Sequence, residues 1–359
     1  MLKMMHNNLT LRCETPIHIG NGEKYTFLDY FVDNGIMHVV DIDRVFDEIE
    51  DIDVIDDLCG DIEKNIINGQ AQINIREFFK QYEIDVREYV VGTIKTTVKP
   101  SRRVQISQFI NQNGNSYIPG SSIKGAIRTA YLFNYYDGNI ERLVEILKNP
   151  KIGNKYKSIN DEAIGDIEKD IFRYLYVSDS EFIPKEKFTV IEAKRYNNIK
   201  QKEGNPTYLE VINEGTDVKF EIGIDKGFRN SLNDIASWCN NLSGTVVEYE
   251  ISNRYGGKYQ AYYRKLSDEI KRNEDYFYLN LGFGGGHITK AIYLLLWKHN
   301  KDLRLIRGIL KKERLIKEGM RVNDFYEFPR TRVIFNNMPL GWVKICSRDE
   351  NDIYIKHRK

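Results

Sequence analysis

The sequence predicts an α+β fold in which antiparallel hairpins alternate with amphipathic helices. Three observations predict it. Short runs rich in β-branched and aromatic residues flank Asn34-Gly35 and Asn113-Gly114, the dipeptide a tight hairpin favours. Other stretches repeat apolar residues every three to four positions, the period of a half-buried helix. Twice, at residues 117–131 and 276–293, a strand-like run passes through a glycine-bearing turn into such a helix. At 359 residues and 41% hydrophobic, the chain suits one large core or two lobes and is globular rather than disordered.

Taken in order, Leu9 to Cys13 alternates like a half-buried strand and leads into the irregular stretch Thr15-Pro-Ile-His-Ile-Gly-Asn-Gly22. Phe27 to Val32 and Ile36 to Val40 form a hairpin at Asp33-Asn34-Gly35. Asp41 to Glu63 holds eleven acids and one base, Arg44. Its helical spacing, continued by an amphipathic stretch to Arg87, predicts a helical insertion facing solvent or a basic partner, away from any RNA. Val104 to Ile110 and Ser116 to Ile118 make another hairpin. Helices are predicted at Ile140 to Lys148, Asp161 to Phe172, Ser231 to Trp238 and Lys301 to Lys317. Strands are predicted at Tyr174 to Val177, Phe188 to Ala193, Thr331 to Phe335 and Gly341 to Cys346, and Tyr208 to Ile212 with Val218 to Ile224 reads as a hairpin. No repeat of solenoid period is visible.

Charge carries the first functional signal. The totals, 53 bases and 52 acids, say nothing about partners, but from Tyr89 to Tyr136 there is no acid. That run holds Lys95, Lys99, Arg102, Arg103, Lys124 and Arg128. An anion-facing surface explains it, with nucleic acid the commonest large anion, and a solvated basic face is the alternative. Within the run, Tyr117-Ile-Pro-Gly-Ser-Ser-Ile-Lys-Gly-Ala-Ile-Arg128 enters a helix through Ser121 or Ser122, either of which can accept from first-turn amides. Ile123, Ile127, Ala130 and Tyr131 face inward. Lys124 lies in the first turn, where the helix dipole favours an acid, so a phosphate shared by the lysine and the open amides is expected. Arg254 to Lys265 interleaves four tyrosines with four bases and no acid. That composition fits a groove that stacks single-stranded RNA, and equally a half-buried helix. Four glycines between Leu281 and His287, with Lys290 beyond, would let backbone approach a ligand closely.

Several chemistries are excluded. Gly120 and Gly125 have Walker spacing, but Ala126 stands where lysine is needed; Gly282 and Gly284 begin a dinucleotide fingerprint that His287 breaks. ATP and NAD are therefore poor ligands. Cys13, Cys59, Cys239 and Cys346 form no Cys-x-x-Cys pair, and the six histidines form no zinc motif, so no metal and no cofactor is expected and the thiols are expected buried and reduced in the cytoplasm. No apolar run reaches the length of a membrane span, and the first ten residues lack the apolar core of a signal peptide, so no membrane partner is expected.

Pro16-Ile-His-Ile-Gly20, Ile118-Pro-Gly-Ser-Ser-Ile-Lys-Gly-Ala-Ile-Arg128 and Leu281-Gly-Phe-Gly-Gly-Gly286 resemble the signatures of the RAMP superfamily of CRISPR effector proteins. Thr331-Arg332 with Pro339-Leu-Gly-Trp-Val343 resembles, more narrowly, the fifth-subunit family of type III-A (Csm) complexes. The resemblance implies a ferredoxin-like, RNA-recognition-type core with a glycine-rich loop and helical insertions. It implies a non-catalytic subunit at the crRNA 3′ end that contacts crRNA and neighbouring RAMP backbone subunits and assists crRNA maturation in antiviral defence, with a maturation nuclease as a further partner. The rival implication is a RAMP-type endoribonuclease that cleaves precursor or target RNA, for which His18 and His287 would do acid–base work and Asp29 would support metal-assisted cleavage. A loop-signature residue, a phosphate donor or helix cap, and a hairpin residue explain the three better, and no catalytic residue is assigned. The expected units are residues 1–40 with 88–136 as the N-terminal ferredoxin-like core, 41–87 as the acidic helical insertion, 137–275 as a mixed region and 276–359 with the glycine loop. RNA contacts are expected from His18, Arg102, Arg103, Ser121, Ser122, Lys124, Arg128, Arg254, Lys258, Tyr259, Gly284, Gly285, Gly286, His287 and Lys290.

Overall fold

A computed structural model describes residues 4–49, 52–67, 75–99, 104–272, 275–290, 292, 294–301, 303–312, 316 and 323–346. In chain order the strands are β1 (Met5–Cys13), β2 (Gly20–Tyr25), β3 (Tyr30–Asp33), β4 (Ile36–Val40), β5 (Val90–Thr96), β6 (Ile106–Phe109), β7 (Asn111–Gln112), β8 (Asn115–Ser116), β9 (Leu175–Val177), β10 (Phe188–Asn197), β11 (Lys202–Ile212), β12 (Asp217–Ile224), β13 (Tyr276–Asn280), β14 (Thr331–Phe335), β15 (Met338–Pro339) and β16 (Trp342–Cys346). The helices are α1 (Ile42–Asp47), α2 (Ile52–Ile67), α3 (Ile75–Lys80), α4 (Gly120–Asp137), α5 (Ile140–Lys148), α6 (Lys155–Ile164), α7 (Leu232–Ser252), α8 (Gln260–Arg272), α9 (Gly286–Lys290), α10 (Leu294–Lys298) and α11 (Leu303–Lys312). Among the described residues no helix is long and apolar enough to cross a membrane.

Two sheets organise the chain. The first is antiparallel, in the order β13-β16-β1-β12-β9. The alternation of β1 puts Leu9, Leu11 and Cys13 inward, where they share one core with Val218, Phe220 and Ile222 of β12 and with the apolar faces of α4 and α7. The second sheet runs β2-β6-β11-β10-β5-β4-β3, with β14 and β15 joined through β10. Residues 5–13 and 20–40 of the expected N-terminal unit thus fall in different sheets.

The expected turns hold where local chemistry decides them. β3 and β4 pair across Asn34 and Gly35, both at positive φ (48° and 77°), as a tight hairpin requires. β11 and β12 correct the expected hairpin, because they lie in different sheets. The Gly215 amide donates to Cys13 O at 2.7 Å, and Cys13 N donates to Thr216 O at 2.9 Å, which hands the chain to β1. The helix expected at Asp161 to Phe172 is instead α6, capped by Asn154. It stops at Gly165, whose φ of 99° and whose missing Cβ, which would stand 2.7 Å from Lys169 O, leave no room for another helical turn.

The insertion forms its own small core. Val45, Val54, Leu58, Phe78 and Phe79 pack with Phe31 and Val40 of the β3–β4 hairpin, while Asp43, Asp47, Asp53, Asp56 and Asp57 stay exposed. Cys13, Cys239 and Cys346 are buried, and Cys59 of α2 is exposed, against the expectation of four buried thiols.

Candidate nucleic-acid interface

Three sequence motifs that are far apart in the chain meet in space. The Phe283 amide donates to His18 O at 2.8 Å, Gly341 N to Pro16 O at 3.0 Å, and Leu281 N to Gly341 O at 2.7 Å. The glycine loop is thereby sewn to Pro16–Gly20 on one side and to Pro339–Gly341 on the other. Most of its glycines answer to these internal contacts. A Cβ on Gly282 would stand 2.1 Å from His18 O, on Gly284 2.7 Å from Leu340 Cβ, and on Gly285 1.9 Å from Asn280 Oδ1. Asn280 Nδ2 in turn donates to Leu340 O at 2.9 Å. Gly286 differs: its φ of 64° requires glycine, yet nothing lies within 4 Å of its Cβ direction. Gly284 and Gly285 thus have a packing reason to be glycine, their half-buried backbone still at the surface, and Gly286 is the one of the three with open space beside it. Lys290 Nζ donates to Gly282 O and so pins the loop from behind. His287 is exposed on α9, its ring 5.8 Å from that of Phe328.

His18 is 4% exposed. Its Nδ1 lies 2.7 Å from Glu210 O, and because a carbonyl only accepts, Nδ1 carries the proton. Burial lowers its pKa, and the bond to Glu210 offsets this only in part. His18 is thus a neutral core histidine, held between the edges of Phe109 and Phe283, and it cannot reach RNA. Beneath it the Glu210 carboxylate accepts from Phe109 N at 2.9 Å, with Lys185 Nζ 3.6 Å away. Burial nevertheless raises the Glu210 pKa. Asp29 Oδ2 accepts from the Thr26 amide and hydroxyl, at 2.6 and 2.7 Å, and closes the turn before β3. Among the described residues no cluster of three His, Cys, Asp or Glu side chains could hold a metal.

At α4 the helix begins one residue before the serines. Pro119, with φ −62°, is the cap, and the Gly120 amide donates to Asp179 Oδ1 at 2.8 Å. Neither Ser121 nor Ser122 caps it, because both lie inside the first turn, past Gly120, and the Pro119 cap supplies no side-chain hydrogen bond. Ser121 is exposed and Ser122 half-buried. Gly120 also has a packing reason, since a Cβ there would stand 2.2 Å from Val177 O. Arg128 Nη1 pairs with Asp170 at 2.6 Å and lies over the Phe172 ring. A stretch free of acids in sequence is thus not free of them in space. Partial burial lowers the Lys124 pKa, with Asp170 opposing.

The tyrosine-rich stretch splits by residue. Tyr259 and Tyr263 are core residues of the α8 region, 0% and 4% exposed. The helical reading holds for them, and Tyr259 cannot stack on RNA. Arg254 pairs with Asp324 at 2.7 Å and covers the Tyr255 ring, whereas Lys258 is exposed. Arg102 and Arg103 lie outside the described residues. The largest feature that sequence reasoning missed is the buried pair Arg332–Glu250, at 2.6 Å. Glu250 sits on the buried face of α7 with Ser243, Val246 and Val247, and a lone acid at helical spacing in an apolar stripe was the available signal.

Comparison with known proteins follows the same lines. The RAMP superfamily model matches residues 10–289. The chain is 36% identical to the CRISPR system Cms protein Csm5 of Methanocaldococcus jannaschii over 371 aligned residues, covering 94% of this chain and 88% of that one. It is 26% identical to the protein of the same name from Streptococcus thermophilus, over 87% of this chain and 86% of the relative. Among solved structures it superposes on a chain of a Csm–crRNA–target RNA ternary complex of a type III-A CRISPR-Cas system, with TM-score 0.73, 24% identity and coverage of 95% and 100%. It also superposes on the crystal structure of T. onnurineus Csm5, with TM-score 0.66, 22% identity and coverage of 93% and 99%.

Proposed function

The chain belongs to the RAMP superfamily and, within it, to the Csm5 family, and from that membership we propose that it is a crRNA-binding, non-catalytic subunit of a type III-A Csm complex. In this reading it caps the crRNA 3′ end in the cytoplasm, contacts neighbouring RAMP backbone subunits and assists crRNA maturation. The observation that carries the reading is the near full-length match to a Csm5 protein. The joining of the Pro16–Gly20, glycine-loop and Pro339–Gly341 segments by backbone hydrogen bonds supports it. We read the first sheet as a ferredoxin-like core. In chain order β1, α4, β9, β12, α7 and β16, with the antiparallel strand order β16-β1-β12-β9, support this, and β13 is an added edge strand. The second sheet, carrying the 41–87 insertion, is the other unit of this division.

RNA contacts are assigned to groups that the fold leaves accessible: Ser121, Ser122 and Lys124 at the start of α4, Lys258, and Gly286 with His287. Nothing at His18 or Asp29 favours the endoribonuclease alternative, because the His18 side chain is buried and the half-buried Asp29 carboxylate closes its own turn at Thr26. The test is RNA affinity against salt. Lys124→Ala should flatten the slope of log affinity on log salt by about 0.7, the value for one phosphate contact on a single strand. Arg128→Ala should change the slope less, because Asp170 already meets that charge. Equal slopes in wild type and Lys124→Ala, or RNA cleavage that His18→Ala or Asp29→Ala abolishes, would overturn the reading.

A further inference from the structure

We propose that Tyr117 and Phe182 form a stacking platform for one base of single-stranded RNA, beside the start of α4; the proposal rests on the RNA-binding reading above. Phe182 is 59% exposed, and Tyr117 is half-buried against it, ring centroids 6.4 Å apart and planes at 76°. This edge-to-face packing supports the phenylalanine from one side and leaves ring face open to solvent.

The rings are held by a rigid frame. Ile183 N donates to Ser116 O at 2.8 Å and Ser180 N to Ile118 O at 3.0 Å, while Ser180 Oγ accepts from Ile118 N at 2.9 Å. The segments 116–118 and 180–183 are thus clamped to one another. Strand alternation accounts for the exposure. Ile118 and Ile183 next door are 0% and 5% exposed and take the core positions, so Tyr117 and Phe182 turn outward. The same frame is fixed to α4 through Gly120 N and Asp179 Oδ1, at 2.8 Å. Ser121, three residues from the Ile118 clamp, is therefore held in a set relation to the rings.

The chemistry favours a base over a protein. A stable protein contact needs about 1,000 Å² of complementary surface, and here two rings are flanked in the chain by the polar Ser180 and Glu181. One nucleobase needs only a ring face, and every base has one. The nearby acids are engaged with backbone: Asp179 accepts from Gly120 N, and Glu181 Oε1 from Lys219 N at 3.1 Å.

The experiment has two arms. In the first, the full chain is titrated with a fluorescein-labelled single-stranded RNA 12-mer at three salt concentrations, with circular dichroism checking the fold of each variant. Tyr117→Ala combined with Phe182→Ala should weaken binding ~10-fold at every salt concentration with the slope unchanged, because stacking releases no counterions. Phe182→Trp should bind as tightly as wild type or tighter, and Phe182→Leu as weakly as the alanine variant. Tyr176→Ala, which removes a comparably exposed aromatic outside the pair, should change nothing. Affinity within two-fold of wild type in the folded double variant would overturn the platform, and full rescue by leucine would show an apolar contact of the kind a protein makes. In the second arm, the assembled complex carries crRNA with 4-thiouridine near its 3′ end, and crosslinks are mapped. Crosslinks at 117 or 182 are expected. Crosslinks on this chain that avoid both positions would sink the platform alone; none on the chain, with no binding in the first arm, would sink the RNA-binding reading itself.

Discussion

Replacing Arg332 with methionine separates a structural role for the Thr331-Arg332 signature from an RNA-contacting one. Arg332 is 7% exposed and Glu250 1%. Arg332 Nε donates to Glu250 Oε1 at 2.6 Å, and Nη1 donates to Pro329 O at 2.7 Å and Thr331 O at 3.1 Å. Methionine keeps most of the apolar stem but strands the buried carboxylate without its cationic partner. Breaking a buried pair from one side costs about 3–5 kcal/mol. At roughly 2.1 cal/mol/K per residue, unfolding a chain of 359 residues has an entropy of about 0.75 kcal/mol/K, so Arg332→Met should lower Tm by about 4–7 °C. Adding Glu250→Gln removes the stranded charge and should recover at least half of that loss, which a double-mutant cycle by thermal denaturation measures. RNA affinity of the folded fraction should stay within two-fold of wild type. An unchanged Tm would show that the pair is screened by water. A loss of RNA affinity at unchanged Tm would mean that Arg332 meets phosphate, and the argument from burial fails.

Other expectations test the glycines, the histidine and the insertion. Gly120→Ala should destabilise strongly, because its Cβ would stand 2.2 Å from Val177 O, whereas Gly125→Ala, with nothing within 4 Å, should stabilise by up to ~1 kcal/mol; equal Tm shifts would refute the distinction. His18 has its pKa lowered in the folded state by burial, so the unfolded chain takes up its proton first as pH falls. Its contribution to stability is complete above the unfolded pKa of about 6.5 and is lost as pH falls below it. His18→Asn should therefore show a shallower decline in Tm between pH 7 and pH 5 than wild type, and parallel curves would exclude His18 as the source. Charge reversal of Asp47 and Asp56, both exposed on the insertion, should leave crRNA affinity unchanged or raise it. A marked loss in a folded variant would put that surface on the RNA path.

Much of the secondary structure was legible because it is decided within a few residues. The Asn34-Gly35 turn, the Ile123-Ile127-Ala130 face of α4 and the start of the helix near Ser231 all follow from local backbone and side-chain preference. The motif blocks at residues 16–20, 118–128 and 281–286 were legible through their resemblance to the RAMP signatures, and the family membership they suggested is the one the comparisons show. The tertiary structure alone decided which sheet each strand joined. β12 pairs with β1 more than 200 residues away in place of the adjacent β11, because a period-two pattern names a buried face without naming the strand beside it. It also decided what the signature residues touch. Arg128 looked free among residues without acids, yet Asp170 lies 42 positions away in sequence and 2.6 Å away in space. A glycine declares that something approaches closely but not what: at 120, 282, 284 and 285 the neighbour is the protein's own chain, and at 286 the space is open. Periodicity and turn chemistry act along the chain and can be read there, whereas charge compensation, close approach and strand partnership depend on contacts between residues that become neighbours only on folding.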